Sequence, residues 1–168
     1  MSSSAPVRAV FVAAGSNIQP EEKLQLAGRD LRRSFPDISF SPAYRNSAVG
    51  FVGEDFINFV VGFTTKQNPR EVLAELHRIE ELCGRPRGAA KWEPRAMDLD
   101  ILLFGDLTCD EPGLILPRPD LVKRPYMLRP MADLAPDLRH PTLAMTMAEL
   151  WAKFDQRAHL MAPVHLTR

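Results

Sequence analysis

Lys91-Trp92-Glu93-Pro94-Arg95-Ala96-Met97-Asp98-Leu99-Asp100-Ile101-Leu102-Leu103-Phe104-Gly105-Asp106 begins as a basic loop and ends as an apolar strand. Strand side chains alternate between two faces, so Asp98 and Asp100 share one face while Met97, Leu99 and Ile101 share the other. Two carboxylates held side by side repel each other and gain little from burial. They become favourable around a hard divalent cation, and with Mg2+ the rest of the shell is usually water and substrate phosphate. Aspartate is poor in strands, which weighs against two merely solvated residues at a strand entry. Arg95 and Lys91 lie just upstream, with Arg85 and Arg87 before them. A carboxylate pair beside a cluster of cations predicts a nucleotide-phosphate site.

Upstream of this strand, Val72, Leu73, Leu76, Ile79 and Leu82 recur at helical spacing after Pro69, and Gly84 supplies a stop. Residues 56–65 alternate as a strand, 45–55 read as a loop with two glycines, and 38–44 read as another strand. Pro20, Glu21 and Glu22 open an earlier helix with Leu24, Leu26, Ala27 and Leu31 on its apolar side. The apolar run 7–14 is the first strand. The order β-α-β-β-α-β predicts an α+β, ferredoxin-like core, an antiparallel sheet with two helices on one face. Seven of the 15 prolines then fall between 112 and 141, which rules out a regular helix bundle there. This Pro-rich C-terminal extension is expected to wrap over the sheet edge, with a short helix near 127–134 and a closing helix over 143–154. Residues 1–6 read as a disordered leader and 7–168 as a single domain.

Hydrophobic residues make up 45% of the 168 residues and the formal net charge is zero. Nothing in that balance argues for nucleic acid or an anionic membrane as a partner. No apolar run is long enough to span a bilayer. Cys83 and Cys109 fit neither metal spacing nor a redox motif and read as reduced thiols of a cytoplasmic protein.

Each candidate has an ordinary alternative. Arg85, Arg87, Lys91 and Arg95 could be a solvated basic loop, but the loop feeds directly into the carboxylate pair, and arginine grips phosphate bidentately. Trp92 could be core, yet a flat ring within a cationic loop suits stacking on a heterocycle. Gly15-Ser16-Asn17 lacks the P-loop pattern and reads as a strand-to-helix turn with a capping side chain. Phe56 and Tyr126 read as core aromatics. Asn58 stands out, because an amide in an apolar strand needs partners. His77 leads into the basic loop; His140, His159 and His165 have no spacing that carries chemistry.

The stretch from Pro94 to Gly105 resembles the signature of hydroxymethyl-dihydropterin pyrophosphokinase, an enzyme family of folate biosynthesis. Gly15-Ser16-Asn17, Ser41-Pro42-Ala43-Tyr44-Arg45, Asp55-Phe56-Ile57-Asn58, Arg78-Ile79-Glu80, Gly84-Arg85-Pro86-Arg87 and the segment from Met127 to Pro136 resemble further family motifs. The likeness covers about residues 8–142. It implies a ferredoxin-like fold and transfer of the β,γ-pyrophosphoryl group of ATP to the hydroxymethyl group of a dihydropterin, with release of AMP. By match of position, Asp98 and Asp100 would hold two Mg2+ ions, and Arg85 and Arg95 would stabilise the transferring phosphates. Trp92 would belong to a lid. Phe56 and Tyr126 would sandwich the pterin and Asn58 would hydrogen-bond it, with the loop carrying Asn46, Ser47 and Val49 shaping the pocket. His77, Glu80, Arg87, Ile101, Arg118 and Arg124 would lie on the ATP side. No nucleic-acid or membrane partner is implied, and the protein is expected to be a monomer.

Three departures from the family pattern stand out. Leu116-Pro117-Arg118 replaces the usual Leu-Pro-His, Glu93 stands where glycine is common, and the loop 46–51 lacks the usual prolines. Arg118 can contact phosphate but cannot act as a neutral acceptor or a titrating acid. Two other readings stay open on the sequence alone: a relative acting on another hydroxymethyl heterocycle, and a silent nucleotide or pterin binder.

Overall fold

The computed structural model describes residues 5–46, 55–84, 97–155 and 161–168. Strand β1 (Arg8–Ser16) leads into helix α1 (Pro20–Ser34). The next strand is interrupted, giving β2 (Ser39–Phe40) and β3 (Ala43–Asn46) where one continuous strand over 38–44 is expected. The cause is Pro42, which has no N–H for the ladder. Ser41 fills the break: its N–H donates to Val60 O and its Oγ accepts from Val60 N, both at 2.8 Å. Strand β4 (Phe56–Thr65), helix α2 (Pro69–Leu82) and strand β5 (Asp98–Phe104) complete the first unit. Asn68 and Glu71 cap the start of α2 reciprocally, and Gly84 with φ 93° follows its end.

All strand pairs are antiparallel, and the main sheet runs β5-β1-β4-β3-β8, with β2 also on β4. This is the ferredoxin-like arrangement, with β4 lying between the two strands β1 and β3 that α1 connects. Helices α1 and α2 cover one face, where Val10, Val12, Leu24, Leu31, Phe59, Leu76, Ile79, Leu99 and Ile101 form the larger core.

The C-terminal extension departs from the expectation of wrapping over an edge. After a hairpin, β6 (Cys109–Glu111) and β7 (Leu114–Leu116), a 3-10 turn (Pro119–Val122) leads to α3 (Pro125–Leu134) and α4 (Met147–Ala152). These cover the second face of the sheet, where Ala13, Val60, Leu102 and Leu103 meet Leu121, Met127, Leu128, Met131 and Met147. Strands apolar on both faces need a layer on each side. Helix α4 is shorter than the expected 143–154, because Thr146 and Glu149 form the capping box that starts it. The last strand, β8 (Ala162–Val164), pairs with β3. Arg168 then stacks over Phe59 and donates to Ser41 O at 2.6 Å.

Strand β5 is irregular near its middle. Phe11 faces Leu103 and Val12 faces Ile101, so Leu102 is the extra residue of a bulge. Leu102 and Leu103 both reach the α3 side, while Leu99, Ile101 and Phe104 belong to the opposite core.

Candidate active site

The antiparallel registers place Tyr44 of β3 beside Asn58 of β4, Asn58 beside Gly15 of β1, and Gly15 beside Asp98 of β5. The next alternating position on β5, Asp100, pairs with Ala13. Because the sheet period is two, Asp98 and Asp100 lie on the face opposite Leu99 and Ile101. The expected partition holds: Met97, Leu99 and Ile101 are buried in the core under α2, and both aspartates are partly exposed. Polar residues thus run in a row across four strands, on the face whose other positions α3 covers.

Gly15 forms the floor of this row. A Cβ built there would stand 2.4 Å from Asn58 Oδ1, so only glycine lets the amide lie across β1. Asn58 is itself oriented, since its Nδ2 donates to Asn46 Oδ1 at 2.8 Å. The motif Gly15-Ser16-Asn17 is therefore more than a turn. Gly15 and Ser16 end the strand, and the helix N-cap is Gln19, without a side-chain cap. Sequence reasoning does not single out Gly15 as a site residue; the available signal is a glycine ending an apolar strand. Phe56 pairs with Asn46 and is half-buried at the same end of β4. Tyr44 is buried, donates to Asp133 of α3, and carries Arg129 4.4 Å over its ring, which fastens α3 to the sheet. Burial, then Asp133, holds its phenol above the usual range.

The outer edge of β5 is held from two sides. Glu80 is 5% exposed, and its Oε2 accepts from Leu99 N at 2.8 Å. Arg118, just after β7, donates its backbone N–H to Leu102 O at 2.9 Å. That bond brings the Arg118 side chain to the carboxylates, with Nη1 3.6 Å from Asp100 Oδ1 and Nη2 3.4 Å from Asp120 Oδ2. Tyr126, near the start of α3, belongs to the same neighbourhood. Burial pushes its phenol up, Asp120 and Asp100 add to this, and Arg124 and Arg118 oppose it.

Asn46, Asn58, Phe56, Asp98, Asp100, Arg118 and Tyr126 are thus gathered on one side of the sheet. Arg124 is exposed at the α3 N-cap. His77 is exposed on α2, while Glu80 and the side chain of Ile101 lie on the α2 side. Ser47, Val49, Arg85, Arg87, Lys91, Trp92, Glu93 and Arg95 lie outside the described residues. Among the described residues no group of three or more His, Cys, Asp or Glu is arranged to hold a metal ion. Asp98 and Asp100, on one face with Leu99 between them in the chain, supply hard oxygen donors from Cα positions about 6–7 Å apart along the strand. Two such carboxylates, partly open, fit a Mg2+ that takes its remaining ligands from water and phosphate.

Comparison with known proteins identifies the family. Residues 11–136 match the family model for 7,8-dihydro-6-hydroxymethylpterin-pyrophosphokinase. A 2-amino-4-hydroxy-6-hydroxymethyldihydropteridine pyrophosphokinase of Pseudomonas aeruginosa is 39% identical over 140 residues, covering 80% of this chain and 85% of that protein. One from Synechocystis is 33% identical over 153 residues, covering 86% and 75%. The solved wild-type HPPK-DHPS of Plasmodium falciparum, with pterin and p-hydroxybenzoate, shares the fold at a TM-score of 0.71 and 16% identity. It is matched over 90% of this chain but only 44% of its own length, so this chain spans less than half of it. The matched span takes in Gly15, Asn58, Asp98, Asp100, Arg118 and Tyr126 together, and the chain belongs to the 7,8-dihydro-6-hydroxymethylpterin-pyrophosphokinase family.

Proposed function

We infer that this chain transfers the pyrophosphoryl group of ATP to the hydroxymethyl group of 6-hydroxymethyl-7,8-dihydropterin, releasing AMP, as a step of folate biosynthesis. The observation that carries the reading is the polar row Tyr44, Asn58, Gly15, Asp98, which joins an amide suited to a heterocycle edge to a carboxylate pair suited to a metal-bound phosphate.

In this mechanism Asn58 hydrogen-bonds the pterin edge, and Asn46 keeps the Asn58 amide in one orientation. Phe56 and Tyr126 supply flat apolar surfaces for the ring. By their match to the family motifs, Ser47 and Val49 are assigned to the pterin pocket and Trp92 to a water-excluding lid. Asp98 and Asp100 would hold two Mg2+ ions, which would supply neutralisation of phosphate charge and polarisation of the attacking hydroxyl. Arg85, Arg87, Arg95, Arg118 and Arg124 line the phosphates, where positioning and charge neutralisation supply most of the rate. Glu80, His77 and the backbone of Ile101 serve the adenosine end. The hydroxymethyl oxygen forms a bond to the β-phosphorus and the bond from that phosphorus to the α,β-bridging oxygen breaks. AMP leaves with that oxygen, and the hydroxyl proton passes to solvent.

We further propose a single domain over 7–168, acting as a monomer in the cytoplasm. Both cysteines are free, which suits a reducing compartment. No helix among the described residues is long and apolar enough to cross a membrane.

ATP labelled at the γ-phosphate tests the reaction type. The label should appear on the pterin while AMP accumulates in equal amount. ADP formation with singly phosphorylated pterin would refute pyrophosphoryl transfer.

A further inference from the structure

We propose that Arg118 is a built-in counter-ion of Asp100, balancing it in the nucleotide-free protein and passing to the triphosphate when nucleotide binds. The proposal rests on the reading of Asp98 and Asp100 as Mg2+ ligands. Arg118 straddles Asp100 and Asp120 at 3.6 Å and 3.4 Å. Both separations exceed the 2.7–2.9 Å of a charge-assisted hydrogen bond. Its Nε is buried and has no hydrogen-bond partner among the described residues. An arginine settled into a structural role closes its donors in short, often bidentate pairs. This one is held by charge between two acids, with a buried donor left unmet, which is costly in the resting state. Phosphate oxygens provide the short acceptors it lacks.

The backbone of Arg118 is fixed by its bond to Leu102 O, so the exchange needs only side-chain rotation. While the guanidinium sits on Asp100, a divalent ion arriving there meets a like charge within a few ångströms. A triphosphate removes that competition by taking the guanidinium for itself. Cation and nucleotide therefore bind with positive coupling. A histidine at this position would be mostly neutral at pH 7 and would build less of this coupling.

The test is a titration with Mn2+ alone, read as free Mn2+ by electron paramagnetic resonance, on wild type, Arg118→Gln, Arg118→Lys and Asp100→Asn. A second titration follows α,β-methylene-ATP in the presence of Mn2+. Arg118→Gln should bind Mn2+ about tenfold more tightly without nucleotide, yet bind the analogue about tenfold more weakly. Arg118→Lys should stay near wild type in both, because it keeps the charge. A fold defect lowers both affinities together and cannot give opposite signs. Unchanged or weaker Mn2+ binding by Arg118→Gln, with Asp100→Asn still impaired, would overturn the counter-ion role and leave the metal assignment standing. If Asp100→Asn binds Mn2+ as wild type does, the metal reading itself fails, and this proposal with it.

Discussion

At the scale of single residues, the site depends on who stands next to whom across the sheet. Asp98 and Asp100 are legible in the sequence because aspartate at alternating positions of an apolar strand is improbable without a ligand. Asn58 is legible for a similar reason. Gly15 is not, because a glycine at a strand end has many causes, and only the register to Asn58 identifies this one. The Arg118–Asp100 pair is equally hidden, since it depends on a backbone bond from Arg118 to the bulged Leu102. Gly15→Ala tests the floor of the row. Its methyl would stand 2.4 Å from Asn58 Oδ1 and push the amide off its bond to Asn46. The pterin KM should rise roughly tenfold or more, with ATP affinity unchanged. Steady-state kinetics with each substrate varied in turn would check this, and an unchanged pterin KM would remove Asn58 from the pterin site.

At the scale of elements, the edge strand β5 carries the carboxylates and is pinned by groups from other elements. Glu80 reaches from α2 to the Leu99 N–H, which lies between Asp98 and Asp100 in the chain. Glu80→Ala leaves that N–H without its charged acceptor and should cost about 1–3 kcal/mol, together with a fall in kcat. Glu80→Gln keeps an acceptor and should recover most of both. Thermal melts and kinetics on the pair would decide: an unchanged melting temperature with a loss confined to ATP KM would mean that Glu80 serves the adenosine end without pinning the strand. Helical period and start signals make α1 and α2 readable from sequence, and alternation does the same for β1, β4 and β5. The second strand reads as continuous in the sequence because nothing there shows that Ser41 stands in for a ladder bond at Pro42. The place of the Pro-rich segment is not legible either, because proline frequency excludes long helices but does not say which face the short ones cover.

At the scale of the whole molecule, two helical layers sandwich one sheet, and the proposed site occupies the end that the second layer leaves open. The thiol of Cys83 sits wholly within the larger core, where burial, ahead of the nearby acids, pushes its pKa up to about 11 from 9.0. A thiol whose pKa is higher folded than unfolded adds stability that is complete below pH 9 and is lost as pH rises toward 11. Unfolding free energy should drop by about 2–3 kcal/mol across that window. Tyr44 and Tyr126, also raised, steepen the fall. Denaturant titrations of wild type and Cys83→Ala at several pH values would isolate the thiol: the variant should lose the cysteine share of the slope, and parallel curves would contradict it.

The role proposed for the carboxylate pair is chemistry rather than folding. The most direct test is single-turnover AMP formation from ATP and Mg2+, with and without 6-hydroxymethyl-7,8-dihydropterin, in wild type and Asp100→Asn, beside their melting curves. Wild type should form AMP only when the pterin is present, the variant should lose at least about 10²-fold in rate, and the two melting temperatures should nearly coincide. AMP formed equally well by Asp100→Asn would contradict a catalytic role for the pair, and AMP formed without regard to the pterin would contradict the pterin as acceptor.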